Sequence, residues 1–171
     1  LRFGSARWGF AAVVCLIHDI LIVVGMVAAS NWLANTSVGR MLLIQPFKID
    51  LPMIAAFLTI IGYSVNDTIV VFDRLRENRG KLQTVTPEAI NLSVNQTLSR
   101  TVLTGTTTLM VVLVMYIAGG QGIHAFNYAL LIGMLFGTYS SIAIASPLLL
   151  GVRRMMLPVN VSPVRQETTK V

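Results

Sequence analysis

Four long apolar segments constrain the fold of this 171-residue chain more than any other feature. A helix needs about 20 mainly apolar residues to cross a hydrocarbon core of roughly 30 Å. Three of the segments reach that length directly, and the third along the chain reaches it when it is extended back through Leu98. The sequence therefore predicts an all-α fold, a polytopic transmembrane bundle of four spanning helices. The apolar segments lie near residues 8–30, 51–72, 101–118 and 124–150.

The composition leaves little room for a soluble domain. Hydrophobic residues make up 54% of the chain and charged residues 12%, whereas soluble domains carry about 25% charged residues. We therefore expect one transmembrane domain over residues 1–155, followed by a disordered cytoplasmic tail over residues 156–171, which is rich in proline and polar residues. The predicted spans are about 8–30, 50–75, 90–118 and 124–152.

The basic residues are distributed unevenly between the two sides of the predicted domain. Cytoplasmic segments of membrane proteins carry an excess of lysine and arginine, so both termini are predicted to be cytoplasmic. This topology signal and contact with anionic membrane lipids explain the net charge of +6, and we expect no binding to nucleic acid. The predicted cytoplasmic side carries Arg2, Arg7, Arg74, Arg76, Arg79, Lys81, Arg153, Arg154, Arg165 and Lys170, and the opposite side carries Arg40 and Lys48.

Polar residues interrupt the second and third apolar segments. An ionisable residue at membrane depth costs about 2.5–3.5 kcal/mol on insertion scales, so such residues usually face the interior of a bundle. At about 100° per residue, Ser64, Asp67 and Thr68 share one face of the second span. On the third span the polar residues recur every three or four positions, at Thr97, Arg100, Thr101, Thr104 and Thr108.

Asp67 and Arg100 are expected to lie at similar depth. The second span ends soon after Asp67 and the third begins near Arg100, which places the two charges within about 11 Å, or two helical turns, in depth. This pattern fits a pathway residue beside a modulating charge. It also fits a static salt bridge, with hydroxyl groups holding the helices together.

Two further features of the spans are weaker signals. His18 and Asp19 in the first span form a candidate secondary polar site, but adjacent helical residues point about 100° apart, which argues against a shared metal site. In the fourth span, Gly133, Gly137 and Ser141 form a small-residue stripe that is typical of close helix packing. The sequence has no phosphate-binding glycine motif and no nucleophile paired with a base. We therefore expect neither enzymatic activity nor a bound metal or cofactor.

A long run at the end of the second span resembles the SecF family of membrane proteins. The run extends from Gly62 to Asn78 and reads Gly-Tyr-Ser-Val-Asn-Asp-Thr-Ile-Val-Val-Phe-Asp-Arg-Leu-Arg-Glu-Asn. SecD proteins are similar but typically have Asp-Ala-Asn where this chain has Asn66-Asp67-Thr68. Three shorter stretches agree with SecF in order, and the resemblance covers roughly residues 2–150: His18-Asp19 with Gly25, Gln96 to Thr101, and Gly137 to Ser141.

The resemblance implies a location and a set of partners. SecF is the partner of SecD in the accessory complex of the bacterial Sec translocon, so the expected location is the bacterial cytoplasmic (inner) membrane. The expected partners are a SecD-like subunit, the Sec translocon channel (SecYEG), preprotein substrates and membrane lipids. The chain resembles the last four of six SecF spans. Its start at Leu1-Arg2-Phe3 resembles the cytoplasmic end of the second SecF span, which implies an upstream part.

The resemblance also implies a mechanism. SecF belongs to the resistance–nodulation–division (RND) superfamily, whose members use proton flow through their membrane helices, so an RND-type half bundle is expected. The implied function is proton-motive-force-coupled assistance of preprotein translocation. An RND-type exporter of lipids or small molecules, and a non-conducting structural assembly subunit, are the alternatives. With Asp67 and Arg100 at the family's proton-pathway positions, the predicted proton pathway comprises Asp67, Arg100, Asn66, Ser64, Thr68, Thr101 and Thr104.

Overall fold

The computed structural model describes residues 6–80 and 85–149. Within these ranges the chain is built from helices and their connections, and it contains no strand. The predicted tail and the end of the fourth predicted span lie outside the described residues. The elements are α1 (Ala6–Leu33), α2 (Ser37–Met41), α3 (Leu51–Arg79), α4 (Pro87–Ala118), a 3-10 turn (Gln121–Ile123) and α5 (His124–Ser140), which continues through a π-helical segment (Ser141–Ala145) to residue 149.

Within residues 6–80 and 85–149, four helices are long and apolar enough to cross a membrane. They contain 26 to 32 residues, more than the roughly 20 that a span needs. The prediction of an all-α bundle with four spans is therefore confirmed, and the protein is a multi-pass membrane protein. The spans are Trp8–Leu33, Leu51–Arg79, Pro87–Ala118 and Gln121–Leu149.

Side-chain caps fix where α3 and α4 begin. The Asp50 carboxylate accepts a hydrogen bond from the Met53 amide at 3.0 Å, and the Thr86 hydroxyl accepts one from the Ala89 amide at 3.3 Å. Both helices have a proline in their first turn, where its missing N–H costs no helical hydrogen bond. These caps therefore fix the residue at which each of the two apolar helices begins.

Helices α3 and α5 form the centre of the bundle. They make the most extensive helix–helix contact, and α1 and α4 each pack against both of them. We call the end formed by the start of α1, the end of α3, the start of α4 and the residues up to 149 the basic end. The end formed by the α1–α3 connection and the α4–α5 turn is the aromatic end. Helices α3 and α5 both run from the aromatic end to the basic end.

Two glycines of α5 allow close contact with α3. A Cβ atom built on Gly133 would lie 2.4 Å from Cδ1 and 2.5 Å from Cγ1 of Ile60, closer than real atoms approach. One turn further along, a Cβ on Gly137 would lie 3.6 Å from Cβ of Ser64 and 3.8 Å from Oδ2 of Asp19. The missing side chain at Gly133 therefore sets the separation of the two central helices.

The bundle core consists of two apolar clusters with a polar layer between them. The cluster near the aromatic end includes Val27, Met53 and Tyr128, and the cluster near the basic end includes Ala11 and Leu75. Polar groups buried in hydrocarbon need internal hydrogen-bond partners, so this layer is where function is to be sought. The polar layer comprises Asp19, Ser64, Asp67, Thr68, Thr101, Ser140 and Ser141.

Candidate functional site

Asp67 lies where α3, α4 and the segment after α5 meet. The Thr101 hydroxyl on α4 donates to Oδ1 of Asp67 at 3.2 Å. The Ser141 hydroxyl donates to Oδ2 at 3.1 Å. The side chain of Asp67 is half-buried. Its carboxyl group is thus held by two neutral donors from two other helices.

Ser141 reaches Asp67 at the point where the helical winding changes. It is the first residue of the π-helical segment, and such wide turns often occur at functional sites. Its hydroxyl also lies 2.9 Å from the carbonyl oxygen of Thr138. Because a hydroxyl has one proton, Ser141 donates to one of these acceptors at a time and can accept from Asp67 when that carboxyl is protonated. The contact therefore suits both the charged and the neutral state of Asp67.

Arg100 is exposed and does not pair with Asp67 in this structure. Among the described residues, Asp67 has no ion pair, and its partners are the two hydroxyls. Arg100 nevertheless precedes Thr101 and is near enough to act electrostatically on the carboxyl group. The salt bridge expected from depth is therefore replaced by hydroxyl contacts, and Arg100 is placed on the outer face of α4.

Ser64 forms a hydrogen bond with a second carboxyl group, that of Asp19, and not with Asp67. Its hydroxyl donates to Oδ2 of Asp19 at 2.6 Å, and Asp19 is only 1% exposed. Nδ1 of His18 lies 3.1 Å from the other carboxyl oxygen, Oδ1. The imidazole of His18 therefore contacts the buried carboxyl group of Asp19, although the two residues are adjacent on α1. The structure divides the predicted polar face of α3 between two carboxyl groups.

The remaining residues of the predicted pathway separate into inner and outer positions. Thr68 is buried in the polar layer. Asn66 is exposed on α3. Thr104 is exposed on α4, and its hydroxyl donates to the carbonyl oxygen of Arg100 in its own helix. Only some threonines of the α4 stripe therefore face the interior of the bundle.

A further polar contact near Asp67 was not among the predicted site residues. A Cβ atom on Gly105 of α4 would lie 3.2 Å from Oγ1 of Thr138 and 3.4 Å from the hydroxyl oxygen of Tyr63. Gly105 therefore lets a hydroxyl of α5 and a phenol of α3 approach α4 about one turn nearer the aromatic end than Asp67. The signal in the sequence was a glycine inside the threonine stripe, together with a tyrosine in the polar run of α3.

The hydroxyl of Thr101 can be tested against that of Thr104. In Thr101→Val the side chain keeps its shape but loses the donor to Asp67, and a hydrogen bond to a charged group contributes about 1.5–3 kcal/mol. If Asp67 carries protons through the bundle, the proton flux should fall by about tenfold or more. Thr104→Val, which removes a hydroxyl bonded only to its own helix, should leave the flux unchanged. Equal flux in the two variants would contradict this role for Thr101.

Comparison with known proteins identifies the family. Residues 1–155 match the family described as protein export membrane protein SecD/SecF, C-terminal. The chain belongs to this SecD/SecF family. The prediction of SecF rather than SecD is confirmed by relatives that are named protein translocase subunit SecF. That of Rhodothermus marinus is 46% identical over 151 residues, with 86% of this chain and 45% of the relative covered. That of Desulfurispirillum indicum is 46% identical over 147 residues, with 84% and 42% covered.

Solved SecDF structures share the fold. A crystal structure of SecDF in a super-membrane-facing form aligns with a TM-score of 0.70 and 41% identity, covering 87% of this chain and 18% of that one. The structure of SecDF from Thermus thermophilus, a translocon-associated membrane protein, aligns with a TM-score of 0.71 and 40% identity, covering 86% and 19%. The chain spans less than half the length of these two SecF relatives and about a fifth of the SecDF chains.

Proposed function

We propose that this bundle is the proton-carrying membrane part of a SecF-type subunit, which helps preproteins cross the bacterial cytoplasmic membrane. The observation that carries the proposal is the setting of Asp67, a carboxyl group in the middle of the bundle held by hydroxyls from two other helices. Relatives that share 46% identity are named protein translocase subunits. This favours a transport role over an enzymatic one.

Neutral hydroxyl partners suit a group that gains and loses a proton. A guanidinium fixed against Asp67 would hold it as the anion, whereas hydroxyls can donate to the anion or accept from the acid. Arg100 lies one residue from Thr101 on the outer face of α4. A motion that brings its charge toward Asp67 would favour proton release, and the opposite motion would favour uptake. Each proton that crosses 100 mV supplies about 2.3 kcal/mol, enough to bias a two-state motion more than tenfold.

The orientation and the partner follow from charge and exposure. The excess of basic residues supports a cytoplasmic location for the basic end and for both termini. Polar and small groups on the lipid-facing side of α3 and α4 need cover within the membrane. We assign this face to a SecD-like subunit, with lipids around the rest and the SecYEG channel and its preprotein as further partners. The exposed positions are Gly62, Asn66, Arg100, Thr104 and Thr107.

Reconstitution tests the proposal. The natural full-length protein that contains this bundle would be placed in vesicles with its SecD-like partner and the Sec channel. An imposed proton gradient should increase preprotein export and produce a proton flux, and an uncoupler should remove both effects. Export that ignores the gradient, in vesicles that contain the complete assembly, would refute proton coupling. Export of lipids or small molecules without a copurifying SecD-like protein would favour an RND-type exporter instead.

A further inference from the structure

The connection between α1 and α3 exposes a group of large apolar side chains at the aromatic end. Met41 is 87% exposed and Leu51, where α3 begins, is 79% exposed. A contiguous exposed apolar surface usually marks contact with a protein or a membrane. We call this surface the connection patch. It consists of Val38, Met41, Leu42, Leu43, Ile49 and Leu51.

The short helix α2 is packed so that its apolar side faces outward. Gly39 is buried, and a Cβ atom there would collide with the carbonyl oxygen of Leu33 at the end of α1. At about 100° per residue, Met41 lies about 200° around the helix from Gly39. The contact of Gly39 with α1 therefore directs Met41 away from the bundle.

The residues after α2 turn their backbone toward the bundle. The Tyr116 hydroxyl donates to the carbonyl oxygen of Leu42 at 2.9 Å. Nε2 of His124 lies 2.8 Å from the carbonyl oxygen of Leu43. The side chains of Leu42 and Leu43 are left on the outside, where both are exposed.

These contacts suit a segment that lies against lipid. Irregular backbone near hydrocarbon needs hydrogen-bond partners from the protein, because lipid tails supply none. The carbonyl groups of Leu42 and Leu43 have such partners from buried side chains. Further along, the Phe47 amide donates to the buried Ser30 hydroxyl at 3.1 Å. The connection can therefore rest on the membrane without leaving these backbone groups unpaired.

Leu43 keeps a large side chain at a backbone position that favours glycine. Its φ angle is +56°, the only positive value among the described residues other than glycines. Glycine adopts such a conformation without steric cost, whereas a bulky side chain is strained there. A leucine at this position is explained if its exposed side chain has an apolar contact outside the chain.

Charge and continuity favour lipid as that contact. The connection carries two exposed cations, Arg40 and Lys48, while its one carboxylate, Asp50, caps α3. Such long cationic side chains lay their stems on apolar surface and extend their charge to the headgroups. The patch also adjoins Trp32 at the end of α1, which is 76% exposed, and tryptophan is enriched at the membrane–water interface.

The length of α1 places the connection at the required depth. Its span contains 26 residues, or about 39 Å of helix, compared with roughly 30 Å of hydrocarbon. The end of α1 therefore reaches the headgroup region, and α2 follows after three residues. We propose that the connection patch inserts into the boundary between headgroups and acyl chains of the leaflet at the aromatic end. This anchor is separate from Asp67 and does not depend on the function proposed above.

Collision rates of a nitroxide spin label distinguish lipid from water and from protein. The natural full-length protein would be assembled with its SecD-like partner in vesicles of phosphatidylethanolamine and phosphatidylglycerol. The label would be attached at Met41→Cys or at Ile49→Cys, each as the single cysteine of the assembly. Both replace exposed side chains. Gln121→Cys is the control, because Gln121 is an exposed polar residue among the glycines of the α4–α5 turn at the same end.

Oxygen dissolves in lipid and a charged nickel chelate stays in water. At Met41 and Ile49 we expect frequent collisions with oxygen and few with the chelate, giving an oxygen-to-nickel ratio several-fold above that at Gln121. Frequent nickel collisions at Met41 and Ile49 would place the patch in water and overturn the proposal. Rare collisions with both reagents would show that another protein segment covers the patch, which also overturns it.

Discussion

Asp67→Asn should abolish proton-driven transport while leaving the bundle folded and assembled. Asparagine has the same shape, its amide oxygen can accept from Thr101, and its amide nitrogen can donate to the hydroxyl of Ser141. The interhelical contacts of Asp67 therefore survive the change. An amide does not take up or release a proton, so the energy of about 2.3 kcal/mol per proton at 100 mV is no longer coupled to motion.

The measurement is proton flux and preprotein export by the full assembly in vesicles, at matched protein amounts. Glu88→Gln, which neutralises an exposed carboxylate in the first turn of α4, is the control and should retain both activities. Unchanged flux and export in Asp67→Asn would rule out Asp67 as the proton carrier. A lower amount of assembled protein, with full activity in what remains, would show instead that Asp67 is a structural lock between helices.

Gly133→Val should strongly destabilise the bundle by forcing its two central helices apart. Even a methyl group at this position would lie within 2.9 Å of three atoms of Ile60. Ile60 is 1% exposed, and a β-branched residue in a helix has one strongly preferred rotamer. Ile60 therefore has little freedom to turn away, and we expect α3 and α5 to separate. Overpacking of this kind costs about 1–3 kcal/mol, and we expect the upper end of that range.

Unfolding of the chain by titration with a denaturing detergent measures this effect. Gly25→Val is the matched control, because Gly25 is exposed on α1 and a Cβ atom there would meet nothing within 4 Å. Ile60→Ala should restore much of the stability when combined with Gly133→Val, since it removes the atoms that clash. Additive losses in the double variant would mean that the two positions do not interact, contrary to the packing described.

For both carboxyl groups in the polar layer, the sequence revealed the residue but not its partners. Asp67 and Asp19 were both recognisable as ionisable residues inside apolar segments, because hydrophobicity and span length are local properties. Their partners were not. The face of α3 that carries Ser64, Asp67 and Thr68 suggested one site, yet Ser64 donates to Asp19 on α1. Asp67 is bound instead by Ser141, which is 74 residues away in the sequence.

Helical periodicity explains both what the sequence predicts correctly and what it cannot predict. It fixes the direction of each side chain around its own helix axis, which is why the four spans and the polar stripes follow from the residues alone. It does not fix how far each helix is rotated toward its neighbours. That rotation is set by packing of the whole bundle, with the close approach of Gly133 to Ile60 at its centre, and by the π-helical winding that begins at Ser141.

The contacts of His124 at the aromatic end show the same difference between what the sequence reveals and what only the structure reveals. From the sequence, His124 was a lone histidine at the edge of an apolar segment, with no motif around it. Its two ring nitrogens lie 2.8 Å and 3.0 Å from the backbone carbonyl oxygens of Leu43 and Tyr116, and every residue type has such a carbonyl, so no choice of amino acid could mark these contacts. The sequence determined the family, the number of spans and the depth of the ionisable groups, because these depend on composition along the chain. Only the tertiary structure decided which groups meet, because those contacts depend on how helices distant in sequence pack together.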